Sequence, residues 1–326
     1  MGLHMVPTAA LLCAALSGCV RPAIEPTPGT DGAATTAPAP RSAPQPSAES
    51  ARLERRYAQL EQDLLARGLL RQDSGGPDTP MDSRMLTGNF MQIALFDEFV
   101  PDADRIVARE SESALRRWED RVEIGLVFGD SVPEAERRRD RATVAGLAER
   151  LATATGHPVT TTAGTGNMTV LVVNEDERRA LGSRLQTLIP GISPPVVAAV
   201  TDMPPTIFCL MIAFSTDDAP HVYRRAVGII RAEHPQLLRK SCLHEEIAQG
   251  LGLANDSPAA RPSIFNDDEE FALLTTHDEL LLAILYDPRL QPGMDAVMAQ
   301  PIVRTIAEEL LPPDTVARTT PALEES

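Results

Sequence analysis

Aromatic side chains are scarce in this sequence, at 4% of 326 residues, although apolar residues of all kinds make up 43%. A core of substantial size therefore has to be built mainly from Leu, Val, Ile, Ala and Met. Lysine is nearly absent, with Lys240 the only example, and the formal net charge is −16. An acidic surface repels phosphate backbones and anionic lipids. We therefore expect no nucleic-acid partner, and any membrane contact needs a covalent anchor or a hydrophobic segment.

The apolar run from Val6 to Leu16 is too short to span a bilayer, which takes about 20 residues, and has the length of a signal-peptide core. Leu16-Ser17-Gly18-Cys19 follows at once and resembles the bacterial lipobox, in which the Cys thiol is acylated and the chain is cut just before it. The run has no basic head, and a conventional cleaved signal remains the alternative. We expect residues 1–18 to be a signal peptide and the lipid on Cys19 to anchor the protein to a bacterial membrane, facing the periplasm. Val20 is not Asp, which favours the outer membrane by resemblance to enterobacterial sorting.

Composition divides the rest of the chain. Residues 19–50 are rich in Pro, Ala, Thr, Ser and Gly, which predicts a disordered tether because such a segment buries too little apolar surface to fold. Residues 51–80 are expected to form an amphipathic helix and a linker, residues 81–311 a folded domain, and residues 312–326 a polar tail.

The chain has four cysteines, of which Cys13 lies in the predicted signal and Cys19 would carry lipid. Cys209 and Cys242 remain, and in an oxidising compartment we expect them to form a disulfide. A loop of this size would stabilise the fold by roughly 3–4 kcal/mol. The alternative is two separate buried thiols.

Hydrophobic periodicity predicts an α+β fold with a largely segregated helical end. The predicted strands are 121–129, 159–162, 168–174, 206–214 and 222–231. The predicted helices are 51–69, 132–155, 175–188, 235–251 and 275–286.

Residues 242–256 are the stretch best suited to carry chemistry. Their spacing resembles the metzincin zinc-protease signature, His-Glu-x-x-His-x-x-Gly-x-x-His. In that signature two metal ligands share one helix face, a general base stands beside the first, and a Gly turn brings in the third. The matching positions here are, in order, Glu245 (ligand), Glu246 (base), Gln249 (ligand), Gly252 (turn) and Asn255 (ligand).

The resemblance continues downstream. Ser263-Ile264-Phe265-Asn266 stands where such proteases have a Met-containing turn, and residues 271–286 resemble the closing helix of the matrixin branch. The whole segment also resembles, more closely, an uncharacterised proteobacterial domain family described as lipoproteins that carry Glu-Glu-x-x-Gln. These resemblances imply a metzincin-like mixed sheet with a long helix and a motif helix, and no known reaction.

Zinc prefers imidazole or thiolate, whereas Glu245, Gln249 and Asn255 offer only oxygen. We therefore expect no cofactor. Two alternatives remain open: calcium at the oxygen ligands, or zinc held through distant ligands, since His221 and His277 could approach the motif. The acidic run 266–270 is expected to be a solvated loop.

Two functions stay open. The first is a non-catalytic binding or scaffold role in the cell envelope, with an unknown envelope protein or cell-wall component as partner. The second is a metal-dependent peptidase with unusual ligands and Glu246 as its general base. Neither a phosphate-binding Gly-rich loop nor a Ser or Cys nucleophile motif is present.

Overall fold

A computed structural model describes residues 45–102, 105–266 and 268–312. The predicted signal peptide, the predicted lipidation site Cys19, most of the predicted tether and almost all of the predicted tail lie outside these residues. Within the described part of the chain, no helix combines the length and the apolar character needed to cross a bilayer.

Nine helices and nine strands occur in the described chain, mostly in runs of two to four elements of the same type. The helices are α1 (Ala48–Ala66), α2 (Ser83–Ala94), α3 (Glu134–Thr155), α4 (Glu175–Arg179), α5 (Gly182–Leu188), α6 (Pro194–Thr201), α7 (Gln236–Gln249), α8 (Thr276–Leu285) and α9 (Ala296–Leu310). The strands are β1 (Phe96–Asp102), β2 (Arg105–Glu112), β3 (Arg117–Trp118), β4 (Val122–Phe128), β5 (Val159–Thr162), β6 (Met168–Val173), β7 (Cys209–Phe214), β8 (Val222–Tyr223) and β9 (Arg225–Arg231).

The centre of the domain is a five-stranded mixed sheet in the order β5-β4-β6-β9-β7. Strands β5, β4, β6 and β9 are parallel, and β7 pairs antiparallel with β9 at one edge. The chain is therefore an α+β protein with a mixed sheet, which confirms the predicted fold class at that level.

Helices cover both faces of this sheet, as strand β6 shows. Every residue of β6 is buried, which is typical of a parallel strand covered on both sides. Val170 and Val172 belong to the larger core cluster, which includes side chains of α3, α7 and α8. Leu171 and Val173 belong to a second cluster with side chains of α5 and α6.

Helix α7 carries the sequence motif and is fixed by its apolar face. Leu243, Ile247 and Leu251 are fully buried in the larger core. The chain then turns sharply at Gly252, whose φ is +127°. A Cβ at this position would lie 2.3 Å from the carbonyl oxygen of Arg116, so only Gly fits the turn.

A disulfide joins the edge strand to the motif helix. Cys209, the first residue of β7, is bonded to Cys242 in α7, and their Cα atoms are 5.9 Å apart. This confirms the predicted bridge. The bond ties together two elements that border a cavity lined by several acidic residues.

Helix α1 begins within the predicted tether, three residues before the predicted start. The Ser47 side chain accepts a hydrogen bond from the Ser50 backbone N–H, which caps the helix and fixes its first turn. The helix is docked because Tyr57 is buried and the Ser50 hydroxyl donates to Glu233 at 2.7 Å.

Candidate functional site

A cavity of about 330 Å³, here called the acidic cleft, lies beside α7 and β7. Its polar lining comes from α7, β1, β8, the segment just before β7 and the loops that follow the Gly252 turn. The polar lining residues are Glu98, Thr206, Tyr223, Glu245, Glu246, Gln249, Asp256, Asn266 and Glu269. The other lining residues are Ile207, Phe208, Cys209, Leu210, Met211, Ala213, Ala254 and Ile264.

Glu246 is the most enclosed carboxylate of the cleft. It is only 4% exposed, and its Oε2 atom has no hydrogen-bond partner. Burial, followed by the charges of Glu98 and Asp256, raises the pKa of the Glu246 carboxyl well above its usual range. A buried acceptor without a donor is costly, so this oxygen marks a place where a positively charged or hydrogen-donating group would be stabilised.

Glu245 and Gln249 lie on the same helix, one turn apart, and both line the cleft. Burial, followed by the charges of Asp256 and Glu246, raises the pKa of Glu245 well above its usual range. Glu245 keeps part of its surface exposed, so water screens its charge more than that of Glu246. The Gln249 amide donates to Asp256 at 3.4 Å, a long hydrogen bond that links α7 to the loop beyond it.

Asn255, the third position suggested by the motif, is not among the lining residues. Its side-chain amide donates to the backbone carbonyl of Gln92 at 3.1 Å, and its backbone N–H donates to Ile93. Its neighbour Asp256 lines the cleft instead. The Gly252 turn thus brings a carboxylate to the cleft one residue later than the motif spacing suggests.

The segment after the turn is held by a buried carboxylate of α8. Asp278 accepts hydrogen bonds from the Ser263 hydroxyl at 2.5 Å and the Ile264 backbone N–H at 3.2 Å. Asp278 also forms a capping box with Thr275 at the start of α8. These contacts fix the chain just before Phe265, which is fully buried, and so position Ile264 against the cleft.

The acidic run 266–270 is more than the solvated loop that its composition suggested. Asn266 and Glu269 line the cleft. Glu270 pairs with Arg71 at 3.0 Å and with Arg261 at 2.5 Å. Composition alone did not reveal this role because the loop is held by residues distant in the sequence.

The histidines near the motif serve packing. His244 is buried, and its Nδ1 accepts from the Leu274 backbone N–H; burial, followed by the charge of Lys240, lowers its pKa to about 3. His277 is fully buried and lies 3.0 Å from the Asn89 amide. Neither residue lines the acidic cleft, and neither does His221.

The lining residues do not fit a zinc ion. No histidine is among them, and the sulfur of Cys209 is committed to the disulfide. In the part of the chain that the structure describes, no group of three or more His, Cys, Asp or Glu side chains is arranged to hold a metal. Carboxylates spread around a cleft, with one oxygen buried and unpartnered, are better suited to bind an organic cation.

A family described as "Protein of unknown function (DUF2927)" matches residues 83–305. The chain belongs to this family. No curated protein and no solved structure matches the chain. The matched region contains every lining residue of the acidic cleft and both disulfide cysteines, whereas α1 precedes it. The expectation of an uncharacterised domain family is confirmed.

Proposed function

We propose that this DUF2927 chain is a lipid-anchored protein of the bacterial cell envelope that binds a positively charged group of an envelope partner in its acidic cleft. The observation that carries the proposal is the Glu246 carboxylate, which is 4% exposed and has an unpartnered oxygen in a cavity lined by further carboxylates. The domain would thus act as a binding module.

The charge of the site supports a cationic partner. Burial is the main cause of the raised pKa of Glu246, and Glu98 and Asp256 raise it further, so their negative charges act on the same point. A lysine or arginine side chain entering the cleft would donate to Glu246 and neutralise part of this charge. The net charge of −16 adds a long-range field that attracts cations and speeds their encounter with the cleft.

A metzincin-like ancestry is part of the proposal. It is supported by the order of strand β4, long helix α3, strands and motif helix α7, and by the Gly252 turn that ends the motif. Further support is that Glu245, Glu246 and Gln249 line one cavity, as the first ligand, the base and the second ligand of such an enzyme would.

The second candidate is a metal-dependent peptidase with Glu246 as general base. The observation that favours it is the burial that raises the pKa of Glu246, because a carboxylate with a raised pKa is a stronger base. Against it stands the donor set, which supplies carboxylates and amides where a zinc enzyme needs imidazole or thiolate.

The location in the envelope is proposed from the first part of the sequence. The short apolar run before Cys19 supports a signal peptide, and the Pro-rich segment after it supports a tether to the membrane. We place the anchor in the outer membrane, with the domain facing the periplasm.

The binding proposal is tested with a fluorescent Gly-Gly-Arg-Gly-Gly peptide and a Gly-Gly-Glu-Gly-Gly counterpart, titrated into the full chain in detergent. We expect saturable binding of the basic peptide alone, weakened by about tenfold or more in Glu246→Gln because a buried charge pair is lost. Glu308→Gln, which removes an exposed charge on α9, is the matched control and should change affinity by less than about twofold. Equal binding of both peptides, or no effect of Glu246→Gln, would refute a cation site.

A further inference from the structure

A second polar cavity, here called the junction cavity, lies where α1, α3 and the beginning of α7 meet. Its volume is about 240 Å³. Its charged and polar lining residues are Glu54, Glu136, Arg139, Asp140, Glu233, His234, Gln236 and Arg239. It shares no lining residue with the acidic cleft, so a ligand of the junction cavity is independent of the proposed function.

Four buried polar atoms of this lining lack a hydrogen-bond partner. They are Asp140 Oδ2, Glu233 Oε2, His234 Nε2 and Arg239 Nε. The four residues are between 2% and 8% exposed. Six such atoms occur in the described residues, and four of them belong to this one cavity. Buried polar groups are normally satisfied, so a concentration of unsatisfied atoms indicates an occupant.

The chain's own contacts engage only part of each group. The Oε1 atom of Glu233 accepts from the Ser50 hydroxyl and the Glu175 backbone N–H, both at 2.7 Å, which leaves Oε2. Arg239 donates through its Nη atoms to Glu136 and to the carbonyls of Ala232 and His234, which leaves Nε. These contacts hold Glu233 and Arg239 in place while Glu233 Oε2 and Arg239 Nε have no hydrogen-bond partner.

The unsatisfied atoms define the chemistry of the occupant. Glu233 Oε2 and Asp140 Oδ2 lack a hydrogen-bond donor, although Asp140 Oδ2 forms an ion pair with Nη1 of Arg239 at 3.5 Å, and the Arg239 Nε–H lacks an acceptor. Burial raises the pKa of both Asp140 and Glu233, so the chain itself does not fully compensate their charges. A metal ion does not fit, because no group of three or more potential ligands in the described residues is arranged to hold one.

The net charge of the lining residues indicates the charge of the occupant. With every carboxyl ionised and His234 neutral, the lining carries four carboxylates (Glu54, Glu136, Asp140, Glu233) and two guanidinium groups (Arg139, Arg239), a net charge of −2. A zwitterion would leave that charge unchanged, whereas a small monocation reduces it. Burial lowers the pKa of His234 well below its usual range, so the imidazole adds no competing positive charge.

We propose that the junction cavity binds a small amino alcohol. Its ammonium group donates to the carboxylates of Glu233 and Asp140, and its hydroxyl oxygen accepts from the Nε–H of Arg239. Because the cavity borders α1, the occupant would also support docking of the first helix after the tether.

Ethanolamine is the probe, with ethylene glycol as the uncharged probe of the same size. Ligand-observed NMR on the full chain in detergent should show ethanolamine binding with an affinity in about the millimolar range, as expected for so few atoms. Ethylene glycol should not bind. In Glu233→Gln the side-chain oxygen can still accept the hydrogen bonds from Ser50 and Glu175. The amide NH₂ group, a donor, then replaces the unpartnered acceptor Oε2, so the variant should weaken ethanolamine binding by about tenfold or more.

Glu308→Gln is the matched control, because it removes an equal charge at an exposed position of α9 that does not line the cavity, and it should change affinity by less than about twofold. If Glu233→Gln lowers the melting temperature enough to compromise the fold, Asp140→Asn takes its place with the same expected loss. The proposal would be overturned if ethanolamine did not bind, if ethylene glycol bound equally well, or if the folded variants bound ethanolamine with unchanged affinity. The cavity would then hold only water.

Discussion

Replacing Glu246 with Gln should make the protein more stable at neutral and alkaline pH while it weakens cation binding. Glu246 is 4% exposed and has an unpartnered oxygen, and leaving a buried acceptor unsatisfied costs about 1–3 kcal/mol, or more when it is charged. Gln has nearly the same shape and no charge. We therefore expect Glu246→Gln to raise the free energy of unfolding by about 1–3 kcal/mol at about pH 8.

The pH dependence of this gain follows from the raised pKa of Glu246. Between the unfolded-state and folded-state pKa values, the folded chain binds more protons than the unfolded chain, so stability falls as the pH rises through that interval. The advantage of Glu246→Gln should therefore be close to zero below the ordinary pKa of a Glu side chain, about 4.3, and should grow as the pH rises.

Thermal unfolding followed by circular dichroism measures this difference. For a domain of 150–250 residues about 1 kcal/mol shifts Tm by roughly 2–4 °C, so the expected gain at about pH 8 is roughly 2–12 °C. Glu308→Gln, at an exposed position of α9, controls for the change in net charge. The reasoning would be refuted if Glu246→Gln were less stable than wild type at about pH 8, or if the difference in stability did not depend on pH. Either result would show that the buried carboxylate does not destabilise the folded state.

Three further predictions concern the anchor, the disulfide and the motif helix. Cys19→Ser should release the protein from the membrane fraction, and unchanged detergent partitioning would contradict lipidation. Reduction of the Cys209–Cys242 bond, which spans 33 residues, should lower the free energy of unfolding in urea by about 3–4 kcal/mol, and an unchanged midpoint would show that the bridge is not stabilising. Ile247→Asp should unfold the domain because it places a charge in the core, whereas Ile247→Val should lower the free energy of unfolding by only about 0.5–1.5 kcal/mol. Circular dichroism measures whether each variant is folded, and a folded Ile247→Asp protein would contradict this packing.

Elements with strong local signals were predictable from the sequence. The strand predicted over 159–162 has those bounds, and the helix predicted over 132–155 runs from 134 to 155. These segments have clear periodicity, and long-range contacts do not alter their type. The predicted strand over 121–129 likewise corresponds to β4, which ends one residue earlier.

Two predicted elements are divided in the structure, and the cause is tertiary. The helix predicted over 175–188 is two short helices, α4 and α5, separated at Ala180 and Leu181. Arg178 in α4 is held by Glu175 and by the carbonyl of Val200 in α6, a contact that no local pattern reveals. The strand predicted over 222–231 is interrupted at Arg224, because β8 pairs with β3 whereas β9 pairs with β6 and β7.

Helices α2, α6 and α9 and the β1–β2 hairpin were not predicted. Helix α9 contains Pro301 in its interior, which argues against a helix locally. The helix persists because Ala299, Val303 and Ile306 form a buried face within the larger core. In this case packing outweighs propensity.

The residues of the acidic cleft were likewise only partly predictable from the sequence. The motif spacing identified Glu245, Glu246 and Gln249, which share a helix, so their proximity follows from helical geometry alone. Glu98 and Glu269 were missed because they reach the cleft from distant parts of the chain. The adjacent Asp256 and the acidic run after residue 265 were the only available signals.

Binding of a cationic group in the acidic cleft, without cleavage of the partner, can be tested by two readings on one sample. The full chain is purified without chelators and mixed with the Gly-Gly-Arg-Gly-Gly peptide. Elemental analysis measures the metal content of the protein, and mass spectrometry measures the peptide bound and its integrity. We predict bound, intact peptide and no stoichiometric zinc. Stoichiometric zinc together with peptide cleavage that Glu246→Gln abolishes would contradict a binding module and establish a peptidase.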